Sequence, residues 1–250
     1  MDELRVYEDI FNIGFRHLPK DREYAGVIVE PREHEHLSLV LRNFAYMLPD
    51  WSLYIFHSRE NEGFIRGILG NNHNVNLVRY SDGNISTKQY NNLLVSKYFY
   101  DNIRCNKMLI FQTDSFIRRK GIEEFLRYDY VGAPWTEDTV PIHIGKDKID
   151  TNLGSLLTSN IRIGNGGFSL RDKSVMLDVI DRLYYTDINE DVYFSMGTTL
   201  LGGKLPSVEI ASSFSVECIY HPDPIGWHKA YYFYNGHLWR SLKSINITSR

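Results

Sequence analysis

The chain has 250 residues, with 28 Lys and Arg against 31 Asp and Glu and a formal net charge of -3. A hydrophobic content of 43% beside 24% charged residues excludes a disordered or fibrous chain, and the charge balance gives no reason to expect nucleic acid or an anionic membrane as partner. No run approaches the ~18 apolar residues of a bilayer span. The acidic start Met1-Asp2-Glu3 has no signal-peptide core behind it, and Cys105 and Cys218 are too few for a disulfide framework or a cysteine zinc site. The expectation is a cytoplasmic protein with two reduced thiols.

After a polar lead-in, Ala25-Gly26-Val27-Ile28-Val29 is a short continuous apolar run, the mark of a strand buried on both faces. It stops at Glu30-Pro31-Arg32. Leu37, Val40, Leu41, Phe44, Met47 and Leu48 recur at helical spacing over 34–48, and Pro49 ends that helix. A second strand is predicted over 51–56, a short helix over 60–69 closed by Gly70, and a third strand over 75–80. Turn chemistry at Ser81-Asp82-Gly83-Asn84 leads to a helix over 87–102, then to a fourth buried strand over 107–111.

Strands alternating with helices in this way predict an α/β fold with a mostly parallel central sheet flanked by helices. The second half changes character, to a mixed α+β pattern. Residues 130–135 read as a strand ending at the corner Pro134-Trp135, and 136–160 carry no period. A segment that long is expected to be a lid or binding loop. Strand 161–170 and helices over 173–185 and 189–201 follow. With no internal repeat or linker, residues 1–250 read as one domain.

In an open parallel sheet, ligands bind beyond the carboxyl ends of the strands at the topological switch point. Phe111-Gln112-Thr113-Asp114-Ser115 ends the fourth strand. Asp114 there suits a hard divalent cation held with substrate phosphates, or else it caps a following helix. Gly164, Gly166 and Gly167 fall in a strand pattern, which means either close approach of something to the backbone or a bulge. Glu190 and Asp191 open a helix, where the macrodipole alone favours acids; one of them is alternatively a general base. His221 and His228 lie in a stiff Pro-rich segment. An imidazole brought back to Asp114 completes a metal site with Lys229 as phosphate partner, or the histidine simply packs on Trp227. His34 and His36 read as surface residues.

Taken in order, Val29-Glu30-Pro31-Arg32, the strand end at Gln112-Thr113-Asp114, Val131-Gly132-Ala133-Pro134-Trp135, Asn165-Gly166-Gly167-Phe168-Ser169-Leu170-Arg171, Glu190-Asp191-Val192-Tyr193 and Phe214-Ser215-Val216-Glu217 resemble a poorly characterised glycosyltransferase-like family. A looser likeness joins them to the β-1,3-galactosyltransferase and Fringe group. Both resemblances imply the GT-A fold, a single Rossmann-like α/β domain that uses sugar nucleotides. Residues 24–115 would then bind nucleotide, and 116–235 would carry acceptor binding and catalysis.

The resemblance also implies roles. Asp114 matches the last acid of the Asp-x-Asp motif that holds Mn²⁺ or Mg²⁺ and the donor diphosphate; Gln112 stands where the first acid would be, so His228 becomes the more necessary second ligand. Gln112 and Thr113 would otherwise contact the donor. Glu30, Pro31 and Arg32 would receive the nucleotide base and ribose, Asn165, Gly166 and Gly167 the donor sugar, Trp135 would stack on a sugar, and Lys229 would meet the diphosphate. Asp191 matches an inverting catalytic base, with Glu190 holding the acceptor or orienting Asp191. The expected donor is a nucleotide-sugar, UDP-linked by preference, and the acceptor a glycan, protein or lipid. A sugar-nucleotide or glycan-binding module without catalysis, and a nucleotidyltransferase, are the competing readings; the latter lacks a Gly-rich basic loop after the first strand.

Overall fold

The computed structural model of the chain describes residues 14–136, 162–185 and 187–243, together with Tyr7 and Phe11. The strands are β1 (Tyr24–Val29), β2 (Ser52–Ser58), β3 (Asn76–Ser81), β4 (Lys107–Phe111), β5 (Ser115–Ile117), β6 (Tyr130–Gly132), β7 (Phe168–Asp172), β8 (Ser215–Val216) and β9 (Gly226–His228). The helices are α1 (Leu37–Met47), α2 (Glu62–Leu69), α3 (Thr87–Leu94), α4 (Lys97–Asp101), α5 (Lys173–Arg182), α6 (Glu190–Leu200), α7 (Val208–Phe214), α8 (Ala230–Phe233) and α9 (Gly236–Lys243).

Six strands form the central sheet in the order β3-β2-β1-β4-β7-β6. β1 pairs parallel with β2 and β4, β2 parallel with β3, and β7 runs antiparallel between β4 and β6. The expected α/β architecture with a mostly parallel sheet is what the chain adopts. Strand side chains alternate between two cores. Ile28, Leu53, Ile55, Leu109 and Phe111 face α1, α2 and α7. Val27, Val29, Tyr54, Phe56, Met108 and Ile110 face α3, α4, α5 and α6. Each fully buried Leu, Ile or Phe contributes about 1.5–3 kcal/mol relative to exposure, so a sheet covered on both faces needs no other staple.

Because β1 leads outward to β2 and β3, and β4 then returns on its other side, the strand order reverses between β1 and β4. The carboxyl ends of these two neighbours, Glu30-Pro31-Arg32 and Gln112-Thr113-Asp114, therefore flank the switch point.

Three expectations change. The single helix over 87–102 is two, because Ser96 leaves helical geometry and its side chain accepts the Phe99 N–H to start α4. Asp114 caps no helix: the chain continues directly into β5, whose partner β9 runs antiparallel and joins β8 in a small second sheet that the sequence did not announce. The strand predicted over 161–170 begins only at Phe168, with Ile163 making an isolated bridge to Pro134. Its glycines lie in the approach to β7. The predicted lid over 136–160 falls, beyond Thr136, outside the described residues.

Candidate functional site

A cleft of about 350 Å³ opens at the switch point, lined by Glu30, Pro31 and Arg32 after β1, Gln112, Thr113 and Asp114 after β4, Ser86, Thr87 and Tyr90 at the start of α3, and Lys229 after β9. Seven of the residues expected to touch donor thus meet in one cavity.

The β1 corner is rigid. The Arg32 guanidinium grips the buried Glu30 carboxylate through two bonds of 2.8 Å. The Glu30 hydrogen bond, joined by its charge, raises the Arg32 pKa. From below, Asn61 Nδ2 donates to the carbonyls of Glu30 (2.8 Å) and Arg32 (2.9 Å), and Ser58 Oγ donates to that of Pro31 (2.7 Å). The backbone around Pro31 is held before any ligand arrives.

On the β4 side a chain of polar groups runs through His228. Glu217 accepts from Asn165 Nδ2 (2.8 Å) and faces His228 Nδ1 (3.1 Å). With Nδ1 turned to a carboxylate, Nε2 faces Gln112 Oε1 (3.1 Å) and Asp114 Oδ1 (3.2 Å). Gln112 Nε2 then donates to the Tyr90 hydroxyl (3.0 Å), whose own proton is held firmly because burial raises the phenol pKa. The β5–β9 pairing sets Ser115 opposite His228, and that register brings the ring back to Asp114. Burial alone would raise the Asp114 pKa; the His228 ring and the Lys229 ammonium, 3.6 Å away, outweigh it and hold the carboxyl at about 2. Burial likewise works against a charged His228, and Asp114 and Glu217 reverse the sign, so its pKa is raised.

Three protein donors therefore converge: Asp114 Oδ1, buried with no aligned hydrogen bond of its own, His228 Nε2, and the Gln112 amide oxygen. Among the described residues no group of three or more His, Cys, Asp or Glu is placed to hold a metal ion. The set fits a hard divalent cation only where substrate phosphates complete the coordination, which is how Mg²⁺ and Mn²⁺ are commonly bound.

The glycines join this arrangement to the acids of α6. A Cβ on Gly167 would fall inside the His228 imidazole, and a Cβ on Gly166 would strike the Glu190 carboxylate and Asp191. Successive Cα atoms are about 3.8 Å apart, so Asp191 and His228 border the same two-residue crossing. The Gly166 N–H donates to Asp191 Oδ2 at 3.1 Å, and the Val192 N–H to Oδ1 at 2.8 Å. Burial first, then the neighbouring Glu190 charge, pushes Asp191 up to about 7 in spite of those bonds. A carboxyl there is poised to exchange a proton near neutral pH.

Of the expected residues, Trp135 stands elsewhere, and Glu190 takes only one of its two expected roles. Trp135, 5% exposed, belongs to the core between the sheet and α3 to α6 and is not among the residues that line the cleft, so it does not offer its face to a sugar. Both Glu190 oxygens are taken by the fully buried Arg171, at 2.6 and 3.1 Å, which leaves Glu190 to orient Asp191 rather than to hold an acceptor. Tyr90, Glu217 and Arg171 were missed as site residues. Glu217 and Arg171 lie in recognisable motifs and Tyr90 in a plain helical stretch, and only the fold shows which neighbour each serves.

Residues 74–228 match the family model described as "Protein of unknown function (DUF5672)", and the chain belongs to that family. No curated protein matches it. Among solved structures it is similar to S. aureus TarS residues 1–349 (12% identity, TM-score 0.49, covering 72% of this chain and 56% of that one), so it spans little more than half of that protein's chain. It is similar to the galactosyltransferase LgtC in complex with donor and acceptor sugar analogs (14% identity, TM-score 0.48, 89% of this chain and 97% of that one). It is also similar to the glycosyltransferase GlyE of Streptococcus pneumoniae TIGR4 (11% identity, TM-score 0.42, 84% and 54%). No helix among the described residues is long and apolar enough to cross a membrane.

Proposed function

We propose that the chain is a glycosyltransferase of GT-A type that moves a sugar from a nucleotide-sugar, UDP-linked by preference, to an acceptor hydroxyl with inversion. The observation that carries this reading is the two-residue crossing at Gly166-Gly167, with a proton-accepting carboxylate, Asp191, on one residue and the Asp114–His228 pair on the next. Acceptor activation and diphosphate departure are the two jobs of an inverting transfer. They must occur on opposite sides of one anomeric carbon.

In this reading Glu30, Pro31 and Arg32 seat the nucleoside, with Thr113 beside the ribose and Asn165 holding the glycine crossing through its bond to the Gly167 N–H (3.0 Å). Asp114, His228 and Gln112 would hold Mn²⁺ or Mg²⁺, which supplies positive charge for the departing diphosphate. The acceptor oxygen attacks the anomeric carbon as the bond from that carbon to the phosphate oxygen breaks, and the acceptor proton passes to Asp191. Lys229 Nζ, 41% exposed and lining the cleft, meets the negative charge that grows on the nucleoside diphosphate. The acceptor, be it glycan, protein or lipid, enters on the Asp191 side.

A thermal-shift panel of UDP-, GDP- and CMP-sugars with and without Mn²⁺ tests the donor site, since binding to the native state raises the melting temperature. A metal-dependent shift with one nucleotide class, lost in Asp114→Ala, is expected. Donor hydrolysis lost in Asp191→Asn with binding retained is expected to follow, with a rate that rises as Asp191 ionises through about pH 7. One observation favours a second reading, a donor-binding module without turnover: among the described residues no group of three or more His, Cys, Asp or Glu gathers at the candidate cation position. Binding without hydrolysis in the wild type would select it.

A further inference from the structure

Among the described residues Arg171 is the largest charged side chain buried completely, at 0% exposure. Its Nε donates to Ser169 Oγ at 2.9 Å, its two terminal nitrogens grip Glu190, and its planar face lies 5.0 Å from the Tyr130 ring centre and 5.4 Å from that of Phe194. A buried ion pair of this kind is weak evidence for stability, because apolar residues of similar volume serve as well or better. Its connections point to another use. Ser169 Oγ donates onward to the Gly166 carbonyl (3.2 Å), and the Gly166 N–H donates to Asp191 Oδ2 (3.1 Å). Asp191 follows Glu190 in the chain, so the bonds close into a ring: Glu190, Arg171, Ser169, Gly166, Asp191.

We propose that this ring is a clamp, in which the Arg171–Glu190 pair acts as the positioning element that ties the first turn of α6 to the glycine crossing and so fixes the Asp191 carboxylate and the charge it faces. The inference deepens the proposed function and rests on Asp191 as its base. Because Arg171 arrives on β7 and Glu190 on α6, the pair couples the helix to the strand that Gly166-Gly167 leads into. A neutral pair of isosteres would pack but would hold neither the ring nor its field. The groups facing Asp191 are Glu190 on its own helix, Arg171 on β7, Tyr90 on α3 and Tyr130 on β6, together with the Gly166 and Val192 amides. Of the side chains, Glu190 raises the Asp191 pKa most, and Arg171 lowers it by less.

The test is the Asp191 carboxyl titration, followed by ¹³C NMR in the full chain, in wild type and in the paired apolar variant Arg171→Met/Glu190→Leu, with Glu190→Gln as a second variant that keeps the arginine. The clamp requires the Asp191 midpoint to fall by about half a unit or more in the paired variant, and further in Glu190→Gln, where Arg171 remains to favour the carboxylate. Donor hydrolysis, measured on the same samples, is expected to drop at least about tenfold in kcat with KM for donor nearly unchanged, since the cleft residues are untouched. A paired variant that titrates Asp191 as the wild type does overturns the clamp, whatever its melting temperature. Wild-type hydrolysis that survives Asp191→Asn instead overturns the base reading, and the titration still decides the clamp on its own.

Discussion

At the scale of single residues, the site depends on two side chains that are missing. Gly167→Ala would drive a methyl group into His228, which is 3% exposed and fixed by Glu217, and so cannot move aside cheaply. The ring would swing from Asp114, and the nucleotide-driven thermal shift is expected to fall to baseline while the protein still melts cooperatively. A retained shift would show that His228 plays no part in donor binding. Asp191 makes the opposite bargain. Its carboxyl is raised to about 7 from an ordinary 3.8, so the folded state takes up a proton that the unfolded chain releases. Its ionisation therefore costs stability progressively as pH rises from about 4 to 7, and by a constant amount above that. Asp191→Asn, which can still accept from the Gly166 amide, is expected to melt higher than wild type at pH 8, the gain fading as pH falls toward 4. Melting curves across that range check the sign: a gain that grows on acidification would mean that Asp191 is stabilised as the anion.

At the scale of elements, most of the sheet was legible because its code is local. Continuous apolar runs bounded by turn residues located β1 to β4 to within two residues at each end, whereas the switch point between β1 and β4 depends on the order of strands in the sheet and shows only in the fold. The second sheet was not legible, since β5, β8 and β9 are two or three residues long and exist through pairing distant in sequence. The same distance hid Glu217 and Arg171: nothing at position 217 reveals that a histidine eleven residues later turns back to meet it. Trp135 was misread because Gly-Ala-Pro-Trp looks like an exposed corner, whereas the bridge from Pro134 to Ile163 folds it into the core. Gly26 shows why β1 tolerates a glycine. Phe44 of α1 lies directly on it, stacked on Phe111 with ring centres 5.2 Å apart and planes 2° from parallel. Gly26→Ala is expected to cost about 1–3 kcal/mol by overpacking, since neither ring has room to turn. Chemical denaturation should show a lower midpoint with an unchanged slope, and a neutral result would mean that α1 lifts from the sheet without penalty.

For the whole molecule, the question is what steadies a sheet of three short strands that carries half the site. β9 alone brings His228 and leads into Lys229, and it pairs over only three residues with β5 and two with β8. Strands that short have little hold of their own. Instead an aromatic cluster gathers around Trp227, drawn from both ends of the chain. Tyr7 stacks on Phe116 at 4.1 Å and Phe116 on Trp227 at 5.7 Å, Phe11 meets Phe116 edge-on at 5.6 Å, and Trp239 of α9 meets Trp227 edge-on at 5.3 Å. Trp227, the residue immediately before the candidate cation ligand His228, is thus anchored by rings from segments that lie outside the central sheet. Removing two of its rings in Tyr7→Ala/Phe11→Ala should cost about 3 kcal/mol or more in a buried aromatic cluster. More tellingly, it should weaken the metal-dependent nucleotide shift out of proportion to its effect on the central sheet, because β9 loosens while β1 to β4 keep their own cores. Hydrogen exchange separates the two effects. Amides of β5 and β9 are expected to exchange faster in the variant, and those of β1 and β4 at wild-type rates; uniform acceleration would mean that the cluster supports the fold as a whole and has no particular hold on the site.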